Sequence, residues 1–270
     1  MEGIINPAYY APERVKQLHQ DFETAFPCKY IVMDNFLTDD IANALYENFP
    51  KMEDLNVRRK SLNEDKAEDY HFERFHPAFS QVRDTLQSED FYKLMSEISG
   101  VEGLFSVQGD SLGAGVHQGG PGSYVDVHID VNMNPKYNIW RRLNLLIYLN
   151  KHWQAEYGGD LELWNTEMTV CEKKIPPLFN KAVLFYTDDT SPHGYARINI
   201  PPHESRKSFY AYYYTPVEAG VEFRDSKFLN RPDDTISKKV MTKTKENLKI
   251  TVKSFLHKIG IKSLDFQDKN

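Results

Sequence analysis

Residues 124–131 read YVDVHIDV, with an apolar residue at every second position from Val125 to Val131. A period of two in a run rich in β-branched residues predicts a β-strand with one buried face. Further short strand-like runs follow, each near Gly, Pro, Asn or Asp: LNLLIYLN (143–150), GGDLELW (158–164), KAVLFYT (181–187) and SFYAYYYT (208–215). Short strands at close spacing predict an antiparallel barrel or sandwich rather than a parallel sheet with crossover helices.

The regions on either side of this core are predicted to be mostly helical. The first element expected before the core is a helix over Pro12–Phe26, with Val15, Leu18 and Phe22 on one face. A strand over Tyr30–Phe36 and a helix that Thr38 caps and that runs to about Phe49 are expected next. A charged loop over 51–70 and a helix from Pro77 to Ser99, ended by Gly100, complete the region. A last helix over 235–259 carries an apolar stripe of Ile236, Val240, Leu248, Val252, Leu256 and Ile259. The pattern predicts one domain over 1–230, with a helical part (1–100) and a barrel core (101–216), followed by a basic helical extension (231–270).

The composition of the 270-residue chain is that of a soluble globular protein, with 40% hydrophobic and 27% charged residues. No run approaches the ~20 apolar residues of a membrane span and no signal peptide begins the chain, so a cytoplasmic location is expected. The net charge is −6; residues 231–270 carry ten Lys/Arg and five Asp/Glu, or +5, which leaves −11 for the rest. An acidic body argues against nucleic-acid binding, and two cysteines exclude a disulfide framework.

Three copies of a His-x-Asp/Glu pattern occur, and local structure decides among them. His19 and Asp21 fall in the first predicted helix, where positions i and i+2 point about 200° apart and cannot bind one ion. The copy at residues 71–73 lies in a charged, turn-like stretch. His128 and Asp130 lie in the strand 124–131, where residues i and i+2 share a face roughly 6.5 Å apart. That separation lets an imidazole nitrogen and a carboxylate oxygen converge on one metal ion.

A third ligand has to come from a neighbouring strand, and His193, just beyond the strand-like run 181–187, is the best candidate. Two histidines and one carboxylate form the facial triad of non-haem Fe(II) sites, which leaves positions open for a co-substrate and O₂. The same donor set also serves hydrolytic zinc, although the chain has no HExxH helix.

Arg206 follows His193 by 13 residues and opens the strand-like run 208–215. A buried Arg can bind a carboxylate through two parallel hydrogen bonds. Alternation places Arg206, Ser208 and Tyr210 on one strand face and Lys207 on the other. A metal site with Arg206 nearby suits a dicarboxylate that chelates the metal at one end; a surface Arg-Lys pair is the alternative interpretation.

Taken in order, the segments HID (128–130), LNLLIYLNKHW (143–153), YGGDLELW (157–164), AVLFYTDDTSPH (182–193) and RKSFYAYYY (206–214) resemble the Fe(II)- and 2-oxoglutarate-dependent dioxygenases, in particular the prolyl-hydroxylase-like branch. The resemblance implies a mainly β fold, the double-stranded β-helix (a jelly-roll, cupin-like barrel), with N-terminal helices and a C-terminal helix. It covers about 110 residues. The stretch from Val221 onward matches nothing that we can name.

The resemblance also implies roles for individual residues. His128, Asp130 and His193 would bind Fe(II), and Arg206 would bind the distal carboxylate of the co-substrate 2-oxoglutarate. Further cofactor-binding candidates are Tyr148, Asn144 and Gln118, the last standing where the family often has a Tyr. Candidates for substrate contact are Tyr124, Trp140, Arg141 and Arg142; an Arg pair there would suit a carboxylate or phosphate. Core packing is the alternative role for Tyr148 and Tyr124, and a solvated strand start for the group at 140–142.

The activity implied by the resemblance is hydroxylation of an unactivated C–H bond, with conversion of the co-substrates 2-oxoglutarate and O₂ to succinate and CO₂ and with ascorbate as a reductant. The expected substrate is amino-acid-like, peptidyl (including prolyl) or another small molecule. The sequence gives no oligomeric state. Two other functions remain open: a catalytically silent 2-oxoglutarate sensor, and a cupin-type metal barrel that binds its ion with His117, His128 and His193.

Overall fold

The computed structural model of the chain describes residues 1–108, 111–134 and 137–258. In these ranges the α-helices are α1 (Pro12–Thr24), α2 (Asp39–Glu47), α3 (Pro77–Leu86), α4 (Glu89–Ser99) and α5 (Ile236–Lys258). The strands are β1 (Tyr30–Asp34), β2 (Val57–Lys60), β3 (Glu64–Asp69), β4 (Ala114–Gly119), β5 (Tyr124–Ile129), β6 (Met133–Asn134), β7 (Ile139–Tyr148), β8 (Leu161–Trp164), β9 (Cys171–Ile175), β10 (Lys181–Tyr186), β11 (His193–Tyr195), β12 (Arg206–Pro216) and β13 (Lys227–Phe228). None of the described helices combines the length and apolar character that a bilayer crossing requires.

All strand pairs are antiparallel, in the order β1-β10-β7-β12-β4-β3-β5-β11-β8-β9. Side chains from opposite ends of this order meet: Leu146 of β7 lines the same central cavity as His128 of β5 and Leu161 of β8. The sheet is therefore rolled into a jelly-roll-like half-barrel, and the predicted fold class is confirmed.

Helices cover the outer face of β7, β10 and β12. The side chains of Leu143, Leu145 and Ile147 are fully buried in one cluster with Phe22 of α1 and Phe79 of α3. Asn144, Leu146 and Tyr148 face the opposite way, into the barrel. Burial of so many apolar side chains fixes which strand face is inside, because a one-residue slip would expose them all.

The N-terminal helices match their predicted positions with one correction. Helix α1 buries Val15, Leu18 and Phe22, as expected from their spacing. The single helix expected from Pro77 to Ser99 is wrong: it is interrupted at Gln87, and Ser88 caps α4 by accepting a hydrogen bond from the backbone N–H of Phe91. Gly100 does end that helix, at a φ of +70° that favours glycine.

The expectation of a charged loop over 51–70 is wrong. Strands β2 and β3 form a hairpin there, and β3 is inserted between β4 and β5 of the main sheet. The two strands of the hairpin carry few apolar residues, and ion pairs between their side chains hold them together. Arg58 pairs with Asp65, and Arg59 Nε donates to Glu68 Oε1 at 2.7 Å. Cross-strand ion pairs of this kind replace the apolar alternation by which strands are recognised.

Residues 221–245, called the C-terminal arm below, run from the barrel into α5. The apolar stripe predicted for this helix does not form a core face among the described side chains, since Ile236, Val240 and Leu248 are exposed. The face turned to the barrel carries the buried polar residues Thr242 and Glu246 instead. The side chains of Val252 and Leu256, and Ile259 as a whole, lie outside the described residues. The domain boundary at residue 230 stays a prediction.

Candidate active site

His128, Asp130 and His193 form one cluster near the centre of the barrel. His128 is directly opposite His193 in the β5–β11 register, and Asp130 follows immediately after β5. The Nε2 atom of His128 is 3.5 Å from Asp130 Oδ1, and that of His193 is 3.6 Å from Asp130 Oδ2. One potential ligand atom of each residue lies within 4.8 Å of the other two.

Both imidazole rings are oriented by hydrogen bonds on their other nitrogen. His128 Nδ1 is 3.0 Å from the backbone oxygen of Asp126, and His193 Nδ1 is 2.9 Å from that of Ser191. A carbonyl oxygen only accepts, so Nδ1 carries the proton in each ring. The Nε2 lone pairs are then left facing Asp130, which is the tautomer and orientation that a metal ligand requires.

Charged and polar neighbours keep Asp130 ionised. Burial alone would raise its pKa, but the Arg141 cation is the largest opposing effect and holds that pKa well below its usual range. Asn144 Nδ2 donates to Asp130 Oδ2 at 2.7 Å, and Asn144 Oδ1 accepts from Arg141 Nε at 2.8 Å. Burial lowers the pKa of His193 to about 4, so this ring is neutral at pH 7. The donor set is therefore one carboxylate and two imidazoles, as in Fe(II) facial triads.

Arg206 lies buried in the cavity that the cluster faces, called the Arg206 cavity below, which has a volume of about 110 Å³. Its Nε donates to the backbone oxygen of Gly159 at 2.8 Å, and its Nη2 lies 3.4 Å from the hydroxyl oxygen of Tyr148. The guanidinium carbon is 4.1 Å from the ring centre of Tyr195. Among the described residues no carboxylate oxygen comes within 4.0 Å of it. An ionised, buried side chain without a counter-charge is costly, so this position favours an anionic ligand.

The other residues predicted to contact the co-substrate line the same cavity. Tyr148 and Asn144 lie there, and so does Gln118, whose Nε2 donates to Ser205 Oγ at 2.8 Å. The buried Oε1 atom of Gln118 has no hydrogen-bond partner among the described residues. Lys207 faces away, as its alternation with Arg206 predicts, and its ammonium lies 5.7 Å from the ring centre of Tyr46.

A β-bulge in β7 turns the substrate-contact candidates on this strand to opposite faces of the sheet. The β12–β7 register passes from Tyr213↔Leu143 to Tyr214↔Arg141, so Arg142 has no direct partner and the alternation reverses there. Arg141 consequently points inward beside Asp130, with its guanidinium carbon 3.6 Å from the ring centre of Tyr212. Arg142 and Trp140 do not line either cavity beside the cluster, and their contact with substrate stays a prediction.

Both of these side chains stay outside the cavities near the cluster. Arg142 stacks 4.1 Å from the Trp140 ring and donates to the hydroxyl of Tyr186. The bulge has no signature in the local sequence, so the sequence does not separate Arg141 from its neighbours Trp140 and Arg142.

Tyr124 is also away from the cluster. Its hydroxyl donates to the backbone oxygens of Ser61 and Leu62, and its ring stacks with Arg197. A second irregularity, between β5 and β11 at Asp126, explains why it does not share the inward face of His128. Tyr124 therefore joins the hairpin β2–β3 to the barrel.

His117 belongs to a separate charged cluster. Its Nε2 lies 3.5 Å from Glu68 Oε2 and 3.4 Å from Lys66 Nζ, whereas His128, Asp130 and His193 are the only group of three such ligands in the described part of the chain. Burial first, and then the Lys66 charge, lower the pKa of His117 to about 4. The alternative metal site built on His117 is therefore wrong.

Sequence reasoning missed the hairpin residues that line the site. Arg59, Lys66 and Glu68 line a second cavity of about 180 Å³, called the Arg59 cavity below, which also contacts His128 and Asp130. The ion pairing described above is the only signal that could have found them, because these strands lack an apolar pattern.

Comparisons with known proteins agree with this geometry. Residues 114–214 match the family model of the 2OG-Fe(II) oxygenase superfamily, where 2OG is 2-oxoglutarate. A comparison with curated proteins finds no match. A prolyl-4-hydroxylase of Pseudomonas putida is 16% identical, with a TM-score of 0.52 over 74% of this chain and 99% of that one. A prolyl hydroxylase of Trichoplax adhaerens, solved with a peptide fragment of the hypoxia inducible factor oxygen degradation domain, is 19% identical, with a TM-score of 0.50 over 77% and 96%.

At such identities the solved structures bear on the fold, which is that of the prolyl hydroxylases. The family model covers the strands from β4 to β12 and contains His128, Asp130, His193 and Arg206. Members of that family are dioxygenases that use Fe(II), 2-oxoglutarate and O₂. Strands β4 to β12 of this chain thus match the model of the 2OG-Fe(II) oxygenase superfamily, and the resemblance drawn from the sequence is confirmed.

Proposed function

We propose that the protein hydroxylates an unactivated C–H bond of an amino-acid-like, peptidyl (including prolyl) or other small substrate, while the co-substrate 2-oxoglutarate is converted to succinate and CO₂. His128, Asp130 and His193 would hold Fe(II), which when bound supplies the activation of O₂. Arg206 would bind the distal carboxylate of the co-substrate. The Trichoplax adhaerens structure is a complex with a peptide fragment, and peptides are one substrate class that we propose to test here.

The observation that carries the proposal is that three potential metal ligands and a buried cation face the same cavity. The three potential ligands converge without an ion pair strong enough to bring any two atoms closer than 3.5 Å. Arg206 is buried opposite them without a carboxylate within 4.0 Å among the described residues. A molecule with a metal-chelating end and a carboxylate end would satisfy both, and 2-oxoglutarate has this form.

The side chains around the cavity have supporting tasks. The Tyr148 hydroxyl, 3.4 Å from Arg206, is placed to donate to the same carboxylate. Burial raises the pKa of Tyr148 against the effect of Arg206, so the hydroxyl keeps its proton. Asn144 and Arg141 hold Asp130 in position. Leu146, together with other apolar side chains of the lining, excludes water and strengthens every charged contact inside.

The first experiment measures succinate release from 2-oxoglutarate with Fe(II) and ascorbate, and Mn(II) affinity by titration calorimetry in parallel. Asp130→Ala is expected to abolish succinate release and to weaken Mn(II) binding at least tenfold. The matched control is Asp21→Ala, since Asp21 belongs to the same His-x-Asp pattern but lies exposed on α1. Unchanged Mn(II) affinity in Asp130→Ala would refute the metal assignment.

The same experiment distinguishes an enzyme from a catalytically silent protein that only senses 2-oxoglutarate. A protein that binds 2-oxoglutarate and metal with measurable affinity, but releases no succinate with any candidate substrate, would be a sensor. The geometry favours catalysis because the Arg59 cavity adjoins the ligand cluster and leaves room for a second molecule.

A further inference from the structure

The Arg59 cavity is enclosed by two elements outside the barrel strands of the family match. The hairpin β2–β3 contributes Arg59, Lys66 and Glu68, and the C-terminal arm contributes Ser226 and Phe228. The ring centre of Phe228 is 5.6 Å from that of His128. With a volume of about 180 Å³, the cavity holds a small molecule beside the ligand cluster.

The charges around this cavity leave a positive excess once a bound Fe(II) is counted. The ionisable side chains of the described lining are Arg59, Lys66, Arg141, Glu64, Glu68 and Asp130, besides the histidines, so three cations face three carboxylates. Arg141 lies 3.6 Å from Asp130, and burial lowers the pKa of His117 to about 4, which leaves that ring neutral at pH 7. Fe(II) would add two positive charges, and 2-oxoglutarate with its two negative charges would share them with the Arg206 cation. One positive charge then remains in the loaded site, which favours a carboxylate ligand.

Lys66 is the cation best placed to meet that ligand. It lines both the Arg206 cavity and the Arg59 cavity. Its Nζ is 3.3 Å from Glu68 Oε2 and 3.4 Å from His117 Nε2, and Glu68 is already bound by Arg59. An ammonium group has three donors, and these two contacts account for two. Arg141 is less available, because its guanidinium is stacked on Tyr212 and bound to Asn144.

The C-terminal arm restricts the size of the ligand. At His128 strand β5 is paired on both sides, with His193 of β11 and with Phe228 of β13. The backbone N–H of Leu229 donates to Val127 O at 2.8 Å and extends this pairing. Peptide ligands that add as a strand need a free sheet edge. At His128 the edge of β5 is already occupied by the chain itself.

We infer that the Arg59 cavity binds the substrate, and that this substrate is a small molecule with a single carboxylate, which Lys66 holds. The inference rests on the proposed function and names its substrate class. It assigns the hairpin and the arm, both outside the family match, to substrate selection. An internal peptide segment, which carries no carboxylate of its own main chain and needs more room, is the class that the site rejects.

The test compares matched compounds on the full-length Fe(II)-loaded protein. Free amino acids and hydroxy monocarboxylic acids are each paired with the corresponding neutral or cationic amide, and N-acetylated, C-amidated prolyl peptides form the third group. The readout is succinate release above the substrate-free rate. We expect at least one carboxylate to raise the rate tenfold or more, and its amide and the blocked peptides to leave it within twofold.

Variants of Lys66 then assign the contact. Lys66→Met is expected to raise the KM for the active carboxylate at least tenfold while the KM for 2-oxoglutarate stays within twofold, and Lys66→Arg is expected to recover part of the loss. Lys60→Met is the matched control, since Lys60 is exposed on the same hairpin. Thermal melting checks that each variant is folded.

Three results would overturn the inference. The first is a blocked peptide that stimulates as well as any carboxylate, and the second is a panel in which an amide stimulates succinate release but no carboxylate does. The third is a Lys66→Met variant that raises the KM for 2-oxoglutarate instead, because Lys66 would then serve the co-substrate. Failure of the proposed function is distinct from all three, because then no compound of the panel, whether carboxylate, amide or peptide, would raise succinate release above the substrate-free rate.

Discussion

Replacing Arg206 by methionine removes the charge at the end of the Arg206 cavity while keeping most of the side-chain volume. In the structure this guanidinium is bound by Gly159 O and lies 3.4 Å from the Tyr148 hydroxyl, with no carboxylate within 4.0 Å among the described residues. A hydrogen bond to a charged group contributes about 1.5–3 kcal/mol. Losing that interaction with 2-oxoglutarate corresponds to a rise in KM by a factor between about 10 and about 150.

The assay is the initial rate of succinate release as a function of the 2-oxoglutarate concentration. The control is Lys207→Met, one residue along the same strand with its side chain on the opposite face, which is expected to leave the KM within twofold. Since no carboxylate of the described residues lies within 4.0 Å of Arg206, its loss breaks no ion pair in the ligand-free protein, and thermal melting checks that the variant is folded. An unchanged KM would refute the assignment, and a large KM effect in Lys207→Met would transfer the role to Lys207.

Three further predictions concern the surroundings of the site. Arg231→Met removes one hydrogen-bond partner from each of the buried carboxylates of Asp126 and Glu162, and it is expected to lower the free energy of unfolding by about 3–5 kcal/mol in urea titrations. Arg58→Met, the control at an exposed ion pair, is expected to lower it by less than about 1 kcal/mol. Equal losses in the two variants would contradict this prediction. Gly194→Ala places a Cβ atom 2.7 Å from Val125 O and therefore pushes β11 away from β5. The Mn(II) affinity measured by calorimetry is expected to fall at least tenfold. An unchanged affinity would refute this prediction, because it would show that the two strands accommodate the methyl group without moving the metal ligands. The pKa of His117 is about 4 in the folded protein and about 6.5 in the unfolded chain, so the unfolded chain binds a proton more readily. The free energy of unfolding therefore falls as the pH decreases from 6.5 to 4, by at most about 3 kcal/mol. His117→Asn is expected to reduce this pH dependence in denaturation experiments, and a slope equal to that of the wild type would show that another group causes it.

The sequence predicted the part of the site that depends on regular strands. His128 and Asp130 share a face because β5 is regular at that point, and His193 follows the next strand end, so simple alternation was sufficient. Arg206 and Lys207 were separated for the same reason. In each case burial of an apolar face fixes the register, and the polar residue on the other face follows from it.

The parts that were missed depend on irregular or charge-paired structure. The bulge opposite Tyr213 exchanges the faces of Arg141 and Arg142, and a bulge is set by contacts between strands rather than by local sequence. The hairpin containing Lys66 is held by ion pairs, so its sequence has the charge content of a loop. The prediction that the apolar stripe of α5 packs against the core was wrong. The side of α5 that faces the barrel carries the polar residues Thr242 and Glu246, and the described apolar residues of the stripe are exposed.

Asp126 connects the C-terminal arm directly to the metal ligands. Its backbone oxygen orients His128 through the 3.0 Å contact with Nδ1, while its carboxylate, on the outer side of β5, accepts hydrogen bonds from Arg231 at 3.0 Å and Lys238 at 2.8 Å. The irregular register at this residue is what allows one position to serve both sides of the strand. Release of the arm would therefore remove Phe228 from the cavity wall and loosen the carbonyl that fixes the His128 tautomer. Since one residue carries both connections, substrate enclosure and metal-ligand geometry depend on the same segment of β5.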